Sequence, residues 1–119
     1  MSVPIWPPVA GHYAMPLVRG GPLVPLRIWH GEPILDGETL ARSHRWCVEV
    51  EGRTESVRDG IPELLDVTQY WPWCARRPIP RHEYEFMMAR SGWAKAHAPQ
   101  HPSAKPRERV DFNAMPTPL

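Results

Sequence analysis

Tryptophan and arginine occur together at two places in this sequence. Arg19, Arg27 and Trp29 surround an alternating apolar run, and Trp71, Trp73, Arg76 and Arg77 crowd into residues 71–77. An indole face stacks on a nucleobase and a guanidinium fork holds a phosphate. If the two segments are neighbours, they form a pocket or groove for a nucleotide-type ligand or a single strand. These seven side chains are the candidate ligand-binding residues. Tryptophan and arginine also anchor protein interfaces, so the same set fits a protein partner. The plainer arrangement puts the tryptophans in the core and the arginines in solvent. Trp46, in an alternating run, is read as core; Trp29 is read either as exposed or as part of a second apolar layer.

Other chemistry finds little purchase. The 6 histidines and 2 cysteines form no close-spaced ligand pairs of the kind structural zinc uses. Pro99 separates His97 from His101 and spoils their helical spacing. Ser43 and His44 are adjacent, which in an extended segment points them apart. Arg76 and Arg77 would lower the pKa of Cys74, but no base is marked for it. Glu83 and Glu85 fall on different helix faces, and Gly20-Gly21 leads into a proline and a strand rather than a phosphate-binding helix. The expectation is a protein that is not an enzyme, with no metal and no cofactor.

Chain totals bound the rest. A length of 119 residues fits one domain. Proline stands at 16, against about 6 at average usage, and there are 6 tryptophans. Disordered chains are poor in aromatics, so this combination predicts short elements, rigid loops and extended ends. The net charge of +1 supplies no global field for nucleic acid or an acidic membrane. No apolar run approaches the roughly 18 residues of a membrane span. The N-terminus lacks the charged and apolar regions of a secretory signal. The expectation is a cytoplasmic protein with Cys47 and Cys74 as free, buried thiols.

The elements that must position these residues begin with a hairpin. Residues 11–19 alternate Tyr13, Met15 and Leu17 with His12, Ala14 and Pro16, which predicts a strand. Gly20-Gly21-Pro22 turns the chain. Residues 23–30 form a second strand, with Val24, Leu26 and Ile28 on the core face and Leu23, Pro25, Arg27 and Trp29 on the other. Pro16 and Pro25 are expected at edges or bulges. Residues 31–44 read as loop. Residues 45–51 form a third strand, with Trp46, Val48 and Val50 on one side. Residues 53–57 read as a short strand, residues 61–67 as a helical turn or an extended segment, and residues 68–74 as a short strand bending at Pro72.

One helix is expected, from about Pro80 to His97. It carries two apolar arcs: Tyr84, Met87, Met88 and Ala94 on one side, Phe86, Ala89, Trp93 and Ala96 on the other. A helix on a sheet needs one stripe. The second arc therefore wants a cover, either the proline-rich arms or a partner, and Phe86 and Trp93 are the candidate partner-interface residues. Residues 1–10 read as an extended arm, either frayed or with Trp6 docked, and residues 99–119 as an extended proline-rich tail in which Val110-Asp111-Phe112 adds a strand or docks on the helix. The fold class is a small α+β domain over residues 11–98, a twisted antiparallel sheet curled into an SH3-like partial barrel with one C-terminal helix.

Gly11-x-Tyr13, the run Leu17-Val18-Arg19-Gly20-Gly21-Pro22-x-Val24-Pro25-x-Arg27-Ile28-Trp29, then Trp71-Pro72-x-Cys74 and Pro78-Ile79-x-x-x-Glu83-Tyr84, resemble small accessory proteins of tailed phages and proteobacterial prophages. The similarity spans roughly residues 11–106, and the hairpin motif is its most distinctive part. The resemblance implies a phage accessory protein and brings no activity or site residues with it. By analogy with small phage proteins, the expected role is an anti-defence inhibitor that blocks a host defence protein or sequesters a nucleotide-type small molecule. A homo-oligomer would cover the second helix arc. The alternative is a small nucleic-acid-binding module that stacks a single strand on its tryptophans.

Overall fold

The hairpin forms where the sequence places it. In a computed structural model describing residues 6–35, 38–40 and 44–107, strands β1 (Gly11–Pro16) and β2 (Leu23–Gly31) pair antiparallel from Gly11 opposite Ile28 to Pro16 opposite Leu23. The Gly21 amide donates to the Val18 carbonyl at 2.9 Å, and Gly20 sits at φ 78°, a left-handed angle that favours glycine. Beyond β2 come the two-residue strands β3 (Ile34–Leu35) and β4 (Glu38–Thr39), within the stretch read as loop. Next are β5 (Arg45–Val50), β6 (Glu55–Arg58) and β7 (Ile61–Leu64). A 3-10 turn (Val67–Gln69), α1 (Trp71–Cys74), β8 (Pro78–Ile79) and α2 (Arg81–His97) follow.

The main sheet has four antiparallel strands in the order β5-β2-β1-β8. It is open, with β5 and β8 at its edges. The structure is thus a small α+β domain with an antiparallel sheet and a C-terminal helix, and the main sheet does not close into a barrel.

Strand β2 is central and its register with β1 runs unbroken through Pro25, which corrects the expectation that Pro25 marks an edge or a bulge. Its tolerance has a local cause. The Ala14 amide, across from Pro25, donates to the Arg77 carbonyl at 3.1 Å, away from β2. Ala14 and Pro25 are therefore a pair whose amides point apart, so β1 offers no acceptor to a proline lacking N–H. On the other side the Pro25 carbonyl accepts from the Glu51 amide at 2.9 Å, where β5 has just ended. Pro16 behaves as expected, closing β1 beyond the reach of β8, which pairs only with His12 and Tyr13.

The two sheet faces are covered differently. Tyr13, Met15, Val24, Leu26, Ile28, Val48 and Val50 share the first face, and Val67, Trp71 and Cys74 close over it as one buried cluster. Trp71 meets Tyr13 edge-on, with ring centroids 5.6 Å apart. The segment over this face corrects another expectation: residues 68–74 are helical, not a strand. Asp66 accepts from the Thr68 amide at 2.9 Å as an N-cap, and Pro72 falls in the first turn of α1, where a missing N–H costs nothing. Three-residue spacing then sends Trp71 and Cys74 inward together and leaves Trp73 outside.

Helix α2 lies over the second face. Tyr84 turns toward the sheet, and Met87, Ser91 and Ala94 are buried. The ambiguous residues 61–67 resolve into β7, which pairs with β6 through the Asp59-Gly60 turn, then the 3-10 turn. Residues 98–107, expected to be extended, instead make successive tight turns, and Pro102–Ala104 packs on α2. The expected role of Val110-Asp111-Phe112 lies outside the described residues. Cys47 and Cys74 are free and buried. No helix among the described residues is long and apolar enough to cross a membrane.

Candidate functional site

A cavity of about 530 Å³ lies where β2 leaves the main sheet and β5 enters it. Residues of both pleats reach it there, together with the end of β7, the turn at Asp66–Thr68 and the N-terminal arm. Three indoles line it: Trp6, Trp29 and Trp46.

Each indole is positioned by a different element. Trp46 stands opposite His30 in the β2–β5 register, and their rings meet edge-on at 5.1 Å. Trp29, opposite Cys47, projects from the second face. Its indole bends along its own strand: Nε1 is 3.4 Å from the Glu32 carbonyl, and a Cβ added to Gly31 would come within 3.5 Å of its ring. The Arg27 guanidinium lies over that ring, 4.5 Å from its centroid, and reaches Glu49 Oε2 at 3.4 Å. Trp6 comes from the arm, where Pro8 is buried and the Val9 carbonyl accepts from the Tyr13 hydroxyl at 2.6 Å. The Trp6 side chain is half exposed.

Polar groups line the same space. Arg45 and His30 come from the paired strands, and Asp66 and Thr68 from the turn before α1. The Asp66 carboxylate is engaged by the Thr68 amide and hydroxyl, the latter at 2.7 Å. Thr54 donates to the Ile34 carbonyl at 2.9 Å, tying the β3 segment to the cavity wall. Cys47 also lines the space. Burial raises its pKa, outweighing the lowering effects of Arg45, the Gly31 backbone and Arg27. At neutral pH it is a protonated thiol whose Sγ lies 3.4 Å from the Arg45 carbonyl, which makes it a poor nucleophile. The arrangement is suited to holding a flat ring against indoles with polar groups at its edge. Among the described residues no group of three or more His, Cys, Asp or Glu side chains is placed to hold a metal ion.

The structure does not bring the seven sequence-derived residues together. Arg27 and Trp29 are in contact, and Trp29 reaches the cavity. Trp71 is buried across the sheet from them, its ring used in packing against Tyr13. Trp73, Arg76 and Arg77 are exposed around α1 and the connection to β8, and Arg19 is exposed at the hairpin turn. Phe86 and Trp93 are both exposed on the outer side of α2, at 61% and 58%. Of the cavity's lining residues only Trp29 is singled out as a site from the sequence; Trp6, Arg45 and Trp46 are among those that are not. For Arg45 and Trp46 the signal is the cross-strand register, which brings the start of β5 against the end of β2; tryptophan spacing alone does not contain it.

No protein-family model, no curated protein and no solved structure matches this chain.

Proposed function

We propose that this chain is a non-enzymatic binding protein that takes a nucleotide-type ligand into the cavity between Trp6, Trp29 and Trp46. The observation that carries this reading is the convergence of three indoles from three separate elements on one space. Its volume of about 530 Å³ lies within the roughly 300–1,000 Å³ of small-molecule sites. Base stacking on aromatic side chains contributes about 1–3 kcal/mol per base, and Arg45 supplies a cation beside the rings. The resemblance to phage accessory proteins gives the role: an anti-defence inhibitor that sequesters its ligand in the host cytoplasm.

The test is titration of the protein with nucleoside monophosphates and cyclic dinucleotides, followed by tryptophan fluorescence and by mass analysis of the recovered ligand. Saturable quenching with intact ligand released supports the reading. Recovery of a chemically altered ligand makes the protein an enzyme instead. Trp6→Ala, which removes a half-exposed ring, is expected to weaken binding by about 1–3 kcal/mol without moving the denaturation midpoint.

A second reading rests on a different surface. Trp73 is 69% exposed, with Arg76 and Arg77 exposed close by in sequence. A single strand stacking on Trp73 would be held there, and the small net charge predicts weak affinity that falls further with salt. Trp73→Ala abolishing an oligonucleotide gel shift supports it; no shift at low salt and micromolar protein ends it.

A further inference from the structure

We infer that α2 pairs with α2 of a second copy of this chain, through a seam made by Phe86, Ala89, Trp93 and Ala96. The first observation is spacing. These residues follow one another at intervals of three, four and three, the a and d positions of a heptad pattern, and they lie on the helix side turned away from the sheet. Phe86 and Trp93 are 61% and 58% exposed even with Pro102–Ala104 packed on the same helix. The rings are held in place before any partner arrives: Arg90 lies over Phe86 at 5.6 Å, and His97 is 5.5 Å from Trp93.

The second observation is steric. The residues between the large rings are small. Ala89 and Ala96 occupy the d positions, and Gly92 beside the seam has nothing within 4 Å of where a Cβ would stand. A second backbone can therefore approach closely between the two ring layers.

The third is charge, and it selects a copy of this chain in parallel orientation. Glu85 and Arg90 flank the seam on opposite sides, at g and e. In a parallel pair each g residue faces the e residue five positions further along the partner helix. Glu85 of one copy thus meets Arg90 of the other, twice, about a two-fold axis. Within its own chain Glu85 is bound to Arg81 at 3.0 Å, so the partner's guanidinium adds to an existing pair. An antiparallel pair centred on the same residues would bring the two Arg90 side chains together. The helix of 17 residues, about 25 Å long, makes this a modest interface, and the dimer is expected to form in the micromolar range.

The test is sedimentation velocity of the full chain across a micromolar concentration series. The expected result is reversible conversion to a dimer, with Phe86→Glu and Trp93→Glu each weakening association by about tenfold or more while far-ultraviolet circular dichroism stays unchanged. Ala96→Cys is expected to form a disulfide-linked dimer on oxidation, since only parallel pairing places residue 96 against its own copy. A dimer that Ala96→Cys fails to cross-link overturns the parallel arrangement. A monomer at every concentration overturns the pairing. If removing residues 108–119 then converts it to a dimer, the face belongs to the chain's own C-terminal residues; if the monomer captures a host protein through Trp93, the partner is of another kind.

Discussion

The Tyr84 hydroxyl donates to Glu49 Oε1 at 2.6 Å, joining α2 to β5 across the second face of the sheet. The other carboxylate oxygen of Glu49 is 3.4 Å from Arg27 Nη2, so one acid holds the helix on one side and the stacked Arg27–Trp29 pair on the other. Tyr84→Phe keeps the ring against His12, 4.6 Å away, and removes only the hydroxyl. Loss of a hydrogen bond to a charged, part-buried acceptor is expected to cost about 1–3 kcal/mol, read as a lower urea midpoint. An unchanged midpoint would mean that water replaces the phenol at Glu49 without cost.

Alkaline conditions should weaken the fold through groups that hold their protons too tightly. Burial pushes Cys74 up to about 11 from the ordinary 9.0 and also raises Cys47. Burial raises Tyr13, with a further contribution from Cys74, and burial followed by the bond to Glu49 raises Tyr84 above the ordinary 10.0. For each, the unfolded chain releases its proton at lower pH than the folded one. Stability is therefore complete below the ordinary thiol value and declines as pH rises through it and then through the ordinary phenol value. Urea midpoints taken from about pH 8 to about pH 11 should fall, and Cys74→Ala should flatten the first part of the decline. A flat profile in the native chain would show that these groups ionise alike in both states.

Trp71 and Trp73 are two residues apart and should respond in opposite ways to truncation. Trp71 is 6% exposed and closes the main core, so Trp71→Ala is expected to cost about 3–5 kcal/mol. Trp73 is outside, and Trp73→Ala should stay within about 0.5 kcal/mol. Thermal melts of the two variants check this; equal losses would place residues 71–74 in another conformation.

The Asp59-Gly60 turn offers a cleaner test of backbone strain than of packing. Asp59 and Gly60 sit at φ 52° and 78°, the pair of left-handed angles that two-residue hairpin turns favour. Nothing lies within 4 Å of a Cβ built on Gly60. Gly60→Ala should thus cost about 1–2 kcal/mol from conformation alone, with local loss of amide protection in β6 and β7. A neutral effect would show that this hairpin contributes little to global stability.

Alternation was enough to read β1, β2 and β5 and to choose Val24, Leu26 and Ile28 as the core face, because a period of two is fixed by the pleat itself. The helix from Arg81 was legible from its bounding prolines. Residues 68–74 were misread because aromatic residues around a proline suit a bent strand as well as a capped turn, and the Asp66 cap lies outside the aromatic stretch. The cavity was the least legible feature. It depends on Trp46 meeting His30 across strands and on Trp6 returning from the arm, both of them long-range relationships. Arg27 and Trp29 were correctly placed opposite the core, but that face is roofed by α2, and Trp29 reaches open space only because it lies where β2 leaves the sheet.

Helix α2 has two apolar arcs of similar character, so hydrophobic burial alone leaves its rotation about its own axis nearly degenerate. Burying Phe86 and Trp93 would remove more apolar surface from water than burying Met87 and Ala94 does. The degeneracy is broken by oxygen atoms. Glu49 is met by Tyr84, and Glu51, whose side chain is only 6% exposed, by Ser91 and Lys95. A half-turn of the helix would strip both acids of these partners, leaving a nearly buried carboxylate without a donor from the helix, a cost of several kcal/mol. The two acids at the end of β5 therefore act as an alignment key. They decide which side of the helix the rest of the world meets.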